Sequence, residues 1–382
     1  MTVLGDLVDI RTGKLDANAA VADGNYPFFT CAEKISYIDI YAFDADAIIV
    51  AGNGDLNVKH YKGKFNAYQR TYVITIPDET LIDSRYLFHW MSKYITKLRA
   101  MSIGGVIKYI KLGMLADATL PLPPLAEQKR IAAILDKADA LRRKREKAIQ
   151  LTDTLLKSVF LDMFGDPVTN PKGWEIATGE QVFDELRYGT SEKSTLEVTA
   201  RTIPVLRIPN IQKGKLHFGE LKYISLHENE AKKLLLKRGD ILFVRSNGNP
   251  DYIGRCGVFS EDEKYIFASY LIRARITDEF FVSPNFLSAL LSFPTFRSKL
   301  VAEARTTAGN YNISTTGLRN LKFITPSREL QTEYIKLSKE LNNSLLGQEE
   351  IAQKAHALFA SLSQRAFRGE LTGKDIDQIE AA

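Results

Sequence analysis

Ile131-Ala-Ala-Ile-Leu-Asp-Lys-Ala-Asp-Ala-Leu141 opens a series spaced three and four residues apart, Ile131, Ile134, Ala138 and Leu141, that runs on through Arg145, Ala148, Thr152, Leu155 and Val159. Apolar and small residues at this spacing fall on one stripe of an α-helix, and no Gly or Pro interrupts 125–163. Moving 203 residues on gives Tyr334, Leu337, Leu341, Ser344, Gln348, Ile351, Ala355, Leu358 and Leu362, within a second stretch, 328–366, where Gly347 is the only glycine. Two matched stripes of this length predict a pair of long helices packed as a coiled coil. Arg145 and Gln348 share a heptad position, where a polar residue commonly fixes register. Pro123-Pro124 stops the preceding strand and starts the first helix. The plainer alternative has each helix packing only on its own domain. A helix this long is a rod of ~58 Å at ~1.5 Å per residue.

The repeat extends outward from the helices. Asp46-Ala-Ile-Ile-Val-Ala-Gly-Asn-Gly54 aligns with Asp240-Ile-Leu-Phe-Val-Arg-Ser-Asn-Gly248 at an offset of 194, and Gly63-Lys-Phe65 falls on Gly257-Val-Phe259. Ile110, Leu115 and Pro123 match Ile313, Leu318 and Pro326 at an offset of 203, a drift that a few loop insertions would produce. Before each helix the chain reads as short β-rich runs with turns at Gly52-Asn-Gly54 and Asn247-Gly-Asn-Pro250, and helical stretches near 84–100 and 283–304. The expected fold class is α/β, two mixed α/β domains joined by two long antiparallel helices in a coiled coil, with an internal pseudo-two-fold repeat.

Composition sets bounds on function. The 382 residues carry 51 Lys+Arg against 46 Asp+Glu, a formal charge of +5, with 45% hydrophobic residues, so the chain is globular and binds polyanions through local patches if at all. Two cysteines, Cys31 and Cys256, exclude a disulfide framework and a Cys-rich zinc site, and both read as core residues. Asp6, Asp9 and Arg11 stand where a secretory segment would be apolar, and no apolar run suits a membrane span, so a cytoplasmic protein is expected. The three Gly-Lys pairs are followed by Leu, Phe and Asp, which excludes a P-loop. Gly52-Asn-Gly54 lacks the third glycine of a dinucleotide fingerprint, and Asn170-Pro171-Lys172-Gly173 lacks the second proline and aromatic of an amino-methyltransferase motif. No His-Glu-x-x-His or Gly-x-Ser-x-Gly occurs. No catalytic site and no metal site is legible.

Binding candidates remain. Lys59-His-Tyr-Lys-Gly-Lys-Phe65 and Tyr68-Gln-Arg-Thr-Tyr72 interleave basic and aromatic residues. In a strand His60, Lys62 and Lys64 share one face and Tyr61 and Phe65 the other, a surface able to hold phosphate above an apolar layer. An ordinary hairpin with a solvated lysine face explains it equally. Asn53, Lys59, Tyr68, Gln69, Arg70 and Lys108 complete the first-half candidates. In the second half they are Arg207, Asn210, Arg245, Asn247, Asn249, Arg255, Asn310, Tyr311 and Asn312, because Arg reads guanine and Asn reads adenine through paired hydrogen bonds. Asn-Gly is also what a tight turn prefers. The run Arg142-Arg-Lys-Arg145 reads as a solvated helix face with Arg145 turned into the seam.

Four stretches resemble one family in the right order along the whole chain. Leu120-Pro-Leu-Pro-Pro-Leu-Ala-Glu-Gln-Lys-Arg-Ile131 resembles the entry to the first conserved helix of type I restriction–modification specificity subunits, and Leu161-Asp-Met-Phe-Gly-Asp-Pro-Val-Thr-Asn-Pro-Lys-Gly-Trp174 its exit. Ala366-Phe-Arg-Gly-Glu-Leu371 resembles the family's C-terminal ending, and Phe65-Asn-Ala-Tyr-Gln-Arg-Thr-Tyr-Val73 a stretch of its recognition domains. The second helix entry, Thr325-Pro-Ser-Arg-Glu-Leu-Gln331, keeps only Pro326 and Gln331 of the pattern.

The resemblance implies target-recognition domains at 1–120 and 166–324, a first spacer helix at 121–165, and a second with the C-terminal tail at 325–382. It implies a non-catalytic subunit that reads an asymmetric bipartite site in double-stranded DNA, with the helices as a ruler. Two modification (methyltransferase) subunits and restriction subunits would be its partners, and S-adenosylmethionine, ATP and Mg would belong to those partners. A coiled-coil scaffold that touches no nucleic acid is the rival from another class.

Overall fold

The computed structural model describes residues 1–212, 214–277, 282–307 and 309–371, and divides into two compact units, 1–149 with 347–382, and 150–346. The end of the tail expected at 325–382 lies outside the described residues.

In the first unit six strands pair in the order β1-β6-β4-β5-β2-β3. They are Asp9–Thr12 (β1), Tyr26–Phe29 (β2), Ser36–Ile38 (β3), Phe43–Ala51 (β4), Val58–Ala67 (β5) and Thr71–Thr75 (β6). The apolar run of β4 is buried on both faces. Ile48 and Val50 face the helix Ser84–Met101 (α1), while Ala47 and Ile49 join Phe29, Phe65 and Val73 on the other side. Asp83 caps α1, its carboxylate accepting from the Tyr86 amide at 2.9 Å.

The long helices form where the stripes predict them, at Leu125–Phe164 and Arg328–Ala366. Ile131, Ile134, Leu135 and Ala138 of the first, and Leu362 and Ala366 of the second, complete the core of this unit. The two run antiparallel here. Arg130 donates to the Leu371 carbonyl at 3.2 Å, Arg142 lies over the Phe359 ring at 5.7 Å, and Glu146 meets His356 at 2.9 Å.

The second unit repeats the plan. Its strands are Phe183–Tyr188 (β7), Thr202–Leu206 (β8), Lys222–Ser225 (β9), Ile241–Val244 (β10), Cys256–Val258 (β11), Ile266–Phe267 (β12) and Leu271–Ile276 (β13). They form sheets in the orders β7-β13-β10-β11 and β9-β8-β12. Ile241 and Phe243 pack with Phe160 and Phe164 of the first long helix, Tyr334 of the second, and Phe286. Leu242 and Val244 face Val205, Leu206 and Phe259 instead. The helical stretch expected at 283–304 breaks into Pro284–Ser292 (α2) and Pro294–Ala302 (α3). Pro294 has no N–H to donate and forces Phe293 out of the helical region, to ψ 136°.

Two expectations are corrected. The seam steps by four and then three residues, through Tyr334, Ser338, Leu341, Leu345, Gln348, Ala352, Ala355, Phe359 and Leu362, all buried or half-buried. Leu337 and Ile351 are each 37% exposed and Leu155 is 48% exposed. Each precedes the true seam position, held by Ser338, Ala352 and Leu156, by one residue, which is ~100° around the helix. Leu341 and Gln348 lie in the seam as expected, and Ile131, Ile134, Leu141, Arg145 and Leu358 are buried or half-buried.

The strand repeat is also one residue off. Ile48 and Val50, on the helix side of β4, correspond to Ile241 and Phe243, an offset of 193 rather than 194. A one-residue slip sends every side chain to the opposite face, so burial decides against the matching letters. Gly257 likewise falls opposite Leu242 in the ladder where Lys59 falls opposite Ile49, so it matches Lys59 and not Gly63.

Candidate nucleic-acid interface

One backbone knot recurs in both units. The Gly52 amide donates to the Arg70 carbonyl at 2.9 Å, and the Gly52 carbonyl accepts from the Ile110 amide at 2.9 Å. In the second unit the Arg245 amide donates to the Tyr270 carbonyl at 2.9 Å, and the Arg245 carbonyl accepts from the Ile313 amide at 2.8 Å. The knot ties three segments at one end of each sheet: the residues after the central strand, the loop before the next ladder strand, and a hairpin-like loop from further on. Gly52 and Arg245 therefore hold the same place with different side chains, as do Arg70 and Tyr270.

In the first unit this end gathers Asn53, Lys59, Tyr68, Gln69, Arg70 and Lys108. Asn53 bridges Tyr109, and the Lys108 carbonyl accepts from the Gly54 amide at 2.9 Å. Lys59 donates to the Ala32 carbonyl at 2.8 Å and to the Asn57 side chain. Burial pushes the Lys59 ammonium below its ordinary pKa, against the opposing pull of Cys31 and Glu33. Gln69 donates to Asp16 at 3.2 Å, and Arg70 is exposed. Cys31 is half-buried here and donates to the Arg70 carbonyl at 3.5 Å, so only Cys256 is a core cysteine, and burial raises its thiol to about 11.

The other first-half candidates lie elsewhere. Lys62 and Lys64 sit toward the far end of β5, Lys62 near Asp46 at 3.8 Å and Lys64 over the Tyr41 ring at 4.7 Å. His60 does not face solvent as a phosphate ligand would. Its Nδ1 accepts from Arg85 at 3.1 Å, so its Nε2–H is the group donating to Asp46 at 2.7 Å. Tyr61 packs against Phe29 and Phe65, with ring centroids 5.3 and 5.7 Å away. Both are tied into the fold.

The second unit brings more of its candidates together. Ser246 and Asn247 pair with Asn312 and Tyr311, and Asn310 begins that strand. Arg245 lies over the Tyr188 ring at 4.4 Å and Arg255 over the Tyr252 ring at 3.9 Å. Such stacking holds a guanidinium in one orientation, and Arg255 is fixed further by its Nε, which donates to the Asp251 carbonyl at 2.8 Å. Asn247 and Asn249 accept from the Asn249 and Asp251 amides, each at 2.9 Å, so their side-chain oxygens build the turn. Arg207 donates to the Glu220 carbonyl at 3.1 Å. Asn210 is buried, accepts from the Arg207 amide at 2.9 Å, and donates to the His217 and Gly219 carbonyls at 2.9 and 3.1 Å. It staples a loop and cannot read a base.

Several charged groups that belong to no sequence motif hold these frames. Asp136 of the first long helix pairs with Arg85, at 3.1 Å to Nε, and with His89 at 2.7 Å, both on α1. Burial would raise the Asp136 pKa, but hydrogen bonds from His89 and Arg85 and their charge outweigh it and hold it down at about 2. Arg273 is buried against Glu185 at 2.6 Å, and Arg275 joins Asp240 at 2.8 Å. In the basic run, Arg142 and Arg143 are both spent on Asp139 at 2.7 Å. Only the partnering of lone Asp and Glu across distant segments would have revealed these, and sequence order hides it. Among the described residues no helix is long and apolar enough to cross a membrane.

Comparison with known proteins agrees with this architecture. Residues 1–151 match the family model described as the type I restriction modification DNA specificity domain. The EcoDI specificity subunit of Escherichia coli is 49% identical over 133 residues, 35% of this chain and 29% of that protein. The EcoKI specificity subunit of Escherichia coli K12 is 26% identical over 360 residues, 86% of this chain and 75% of that protein. The structure of a type I restriction–modification S subunit from M. genitalium is similar in fold, with a TM-score of 0.60 at 13% identity over 96% of this chain and 95% of that one. A chain from a structure on assembly and conformational transition of a type I R-M system gives 0.52 at 16% identity over 97% of each. The chain is thus similar to type I restriction–modification specificity subunits over most of its length, with the family model itself matching its first 151 residues.

Proposed function

We propose that this chain reads two different short half-sites of double-stranded DNA, one with the knotted loop end of each unit, and that the paired long helices set the distance between them. The observation carrying this is the recurrent knot with unlike side chains, Gly52 and Arg70 in one unit and Arg245 and Tyr270 in the other. Equal frames present unequal chemistry in equal places, which is what an asymmetric bipartite target requires. The chain is a non-catalytic, cytoplasmic subunit that binds no cofactor of its own. Methyl transfer from S-adenosylmethionine belongs to two modification subunits, and ATP- and Mg-dependent cleavage to restriction subunits.

Exchanging residues 1–120 for the matching domain of another specificity subunit tests the modular reading. Methylation mapping of the host genome is expected to show one half-site replaced and the other kept. Replacement of both halves overturns it. A gel-shift salt series separates it from a scaffold, since DNA binding weakens steeply as salt rises.

A further inference from the structure

The loop of the first unit's knot ends in an apolar tip. Ser102-Ile-Gly-Gly-Val-Ile-Lys-Tyr109 leaves α1 and returns to Ile110, and its base is closed by two hydrogen bonds between Ile103 and Tyr109, at 3.0 and 2.9 Å. Gly104 takes a φ of +113°, where an added Cβ would stand 2.5 Å from the Ile107 carbonyl oxygen, so the tight turn requires glycine. Beyond it Val106 is fully exposed and Ile107 is 64% exposed. A tied base with two adjacent large aliphatic side chains at the tip is costly in water and unneeded for the core.

The surroundings are polar and mostly cationic. Lys108 and Lys111 flank the tip, and Arg70 lies across the knot. Arg99 sits beside Asp55 at 3.1 Å, and Glu33 is the other acid nearby. Ile107 forms one wall of a recess of about 500 Å³ shared with Asn53, Asn57, Arg99 and Cys31. At an offset of 203 the second unit has Gly309 and Asn310 in place of Val106 and Ile107, so the apolar tip is peculiar to the first.

We infer that Val106 and Ile107 enter a groove of the first half-site and make apolar contact with its bases, which makes them specificity-determining residues of the first unit. This rests on the DNA-reading proposal above. The shared chemistry is an apolar base surface, either the thymine 5-methyl in the major groove or the face of a base pair at a partly opened step. The cations around the tip favour DNA over an apolar protein surface as its occupant.

The test uses the full chain assembled with its modification subunits, on the duplex that methylation mapping identifies. Val106→Ser/Ile107→Ser alters only exposed groups. It is expected to cut the ratio of specific to random-duplex affinity by ~tenfold and to relax the first half-site alone. Two further arms use the unaltered protein. Loss of affinity on replacing a first-half-site thymine with uracil identifies a methyl contact, and a fluorescence rise from 2-aminopurine in that half-site identifies an opened step. An unchanged affinity ratio in the variant overturns the inference, as does a defect confined to assembly with the modification subunits. If the unaltered protein shows no preference for the mapped duplex, it is the DNA-reading proposal that fails, and the inference falls with it.

Discussion

Gln128 and Gln331, 203 residues apart, make the same pair of hydrogen bonds. The Gln128 side-chain oxygen accepts from the Asp83 amide at 3.0 Å while its nitrogen donates to the Pro123 carbonyl at 2.8 Å. Gln331 accepts from the Ser283 amide at 2.8 Å and donates to the Pro326 carbonyl at 2.8 Å. Asp83 and Ser283 are the N-caps of α1 and α2, so each glutamine fastens the start of a long helix to the start of a domain helix. Both are buried, where an amide without a partner is costly.

Replacing either glutamine with alanine should therefore destabilise its own unit by about 1–3 kcal/mol. Hydrogen exchange reads this by residue. Gln128→Ala is expected to lose protection at the Asp83 amide while Ser283 keeps it, and Gln331→Ala the reverse. Equal loss at both amides in either variant would mean the joints are not local.

These joints also show how far the sequence was legible. The second helix entry matches its family pattern poorly, yet the two residues it keeps, Pro326 and Gln331, are the two that form the joint. The long helices were legible because a 3.5-residue period persists over eleven turns. The finer seam was not, because the apolar letters Leu337 and Ile351 outrank Ser338 and Ala352 on hydrophobicity, while close helix approach favours the small residues. The strand repeat slipped by one for a similar reason: matching Asn-Gly turns outweighed face parity, which only burial reveals. Among site candidates, Arg70 and Lys108 are exposed, whereas His60 and Tyr61 are spent on partners distant in sequence and Asn210 on its own loop.

Asp136 gives a pH test. Its carboxyl is held at about 2, below the ordinary value of 3.8, so its contribution to stability is fully present above ~4 and is lost as pH falls through ~2. Over pH 5–9 this group should leave the melting of the first unit flat. Asp136→Asn is expected to lower stability by about 1 kcal/mol at pH 7, a figure reduced for solvent screening because the side chain is 36% exposed. The deficit should shrink toward pH 2. A deficit that stays constant down to pH 2 would place the effect in packing and not in the charge.

Lys62 and Asn210 are both binding candidates in the sequence, and the structure separates them. The Lys62 side chain is 77% exposed and Lys64 is exposed, so Lys62→Ala/Lys64→Ala is expected to leave folding and half-site sequence intact. If both touch phosphate, the slope of log affinity against log salt should fall by about 2. Asn210→Ala should instead cost about 1–3 kcal/mol of stability in the second unit, through three lost hydrogen bonds. An unchanged salt slope would remove the two lysines from the interface.

The seam also fixes which insertions test the long helices as a spacer. Because the buried positions step by four and then three, the repeat is seven residues, and inserting seven into each long helix near Ala148 and Leu345 keeps every later residue on its face to within ~20°. At ~1.5 Å per residue the insertion adds ~10 Å, about three base pairs at ~3.4 Å each. Methylation mapping is then expected to show both half-sites unchanged and the gap between them longer by about three. A four-residue insertion turns the following seam by ~40°, so it should lengthen the gap by about two at a visible cost in thermal stability. If the seven-residue variant folds, methylates and keeps the original gap, the helices do not set the spacing.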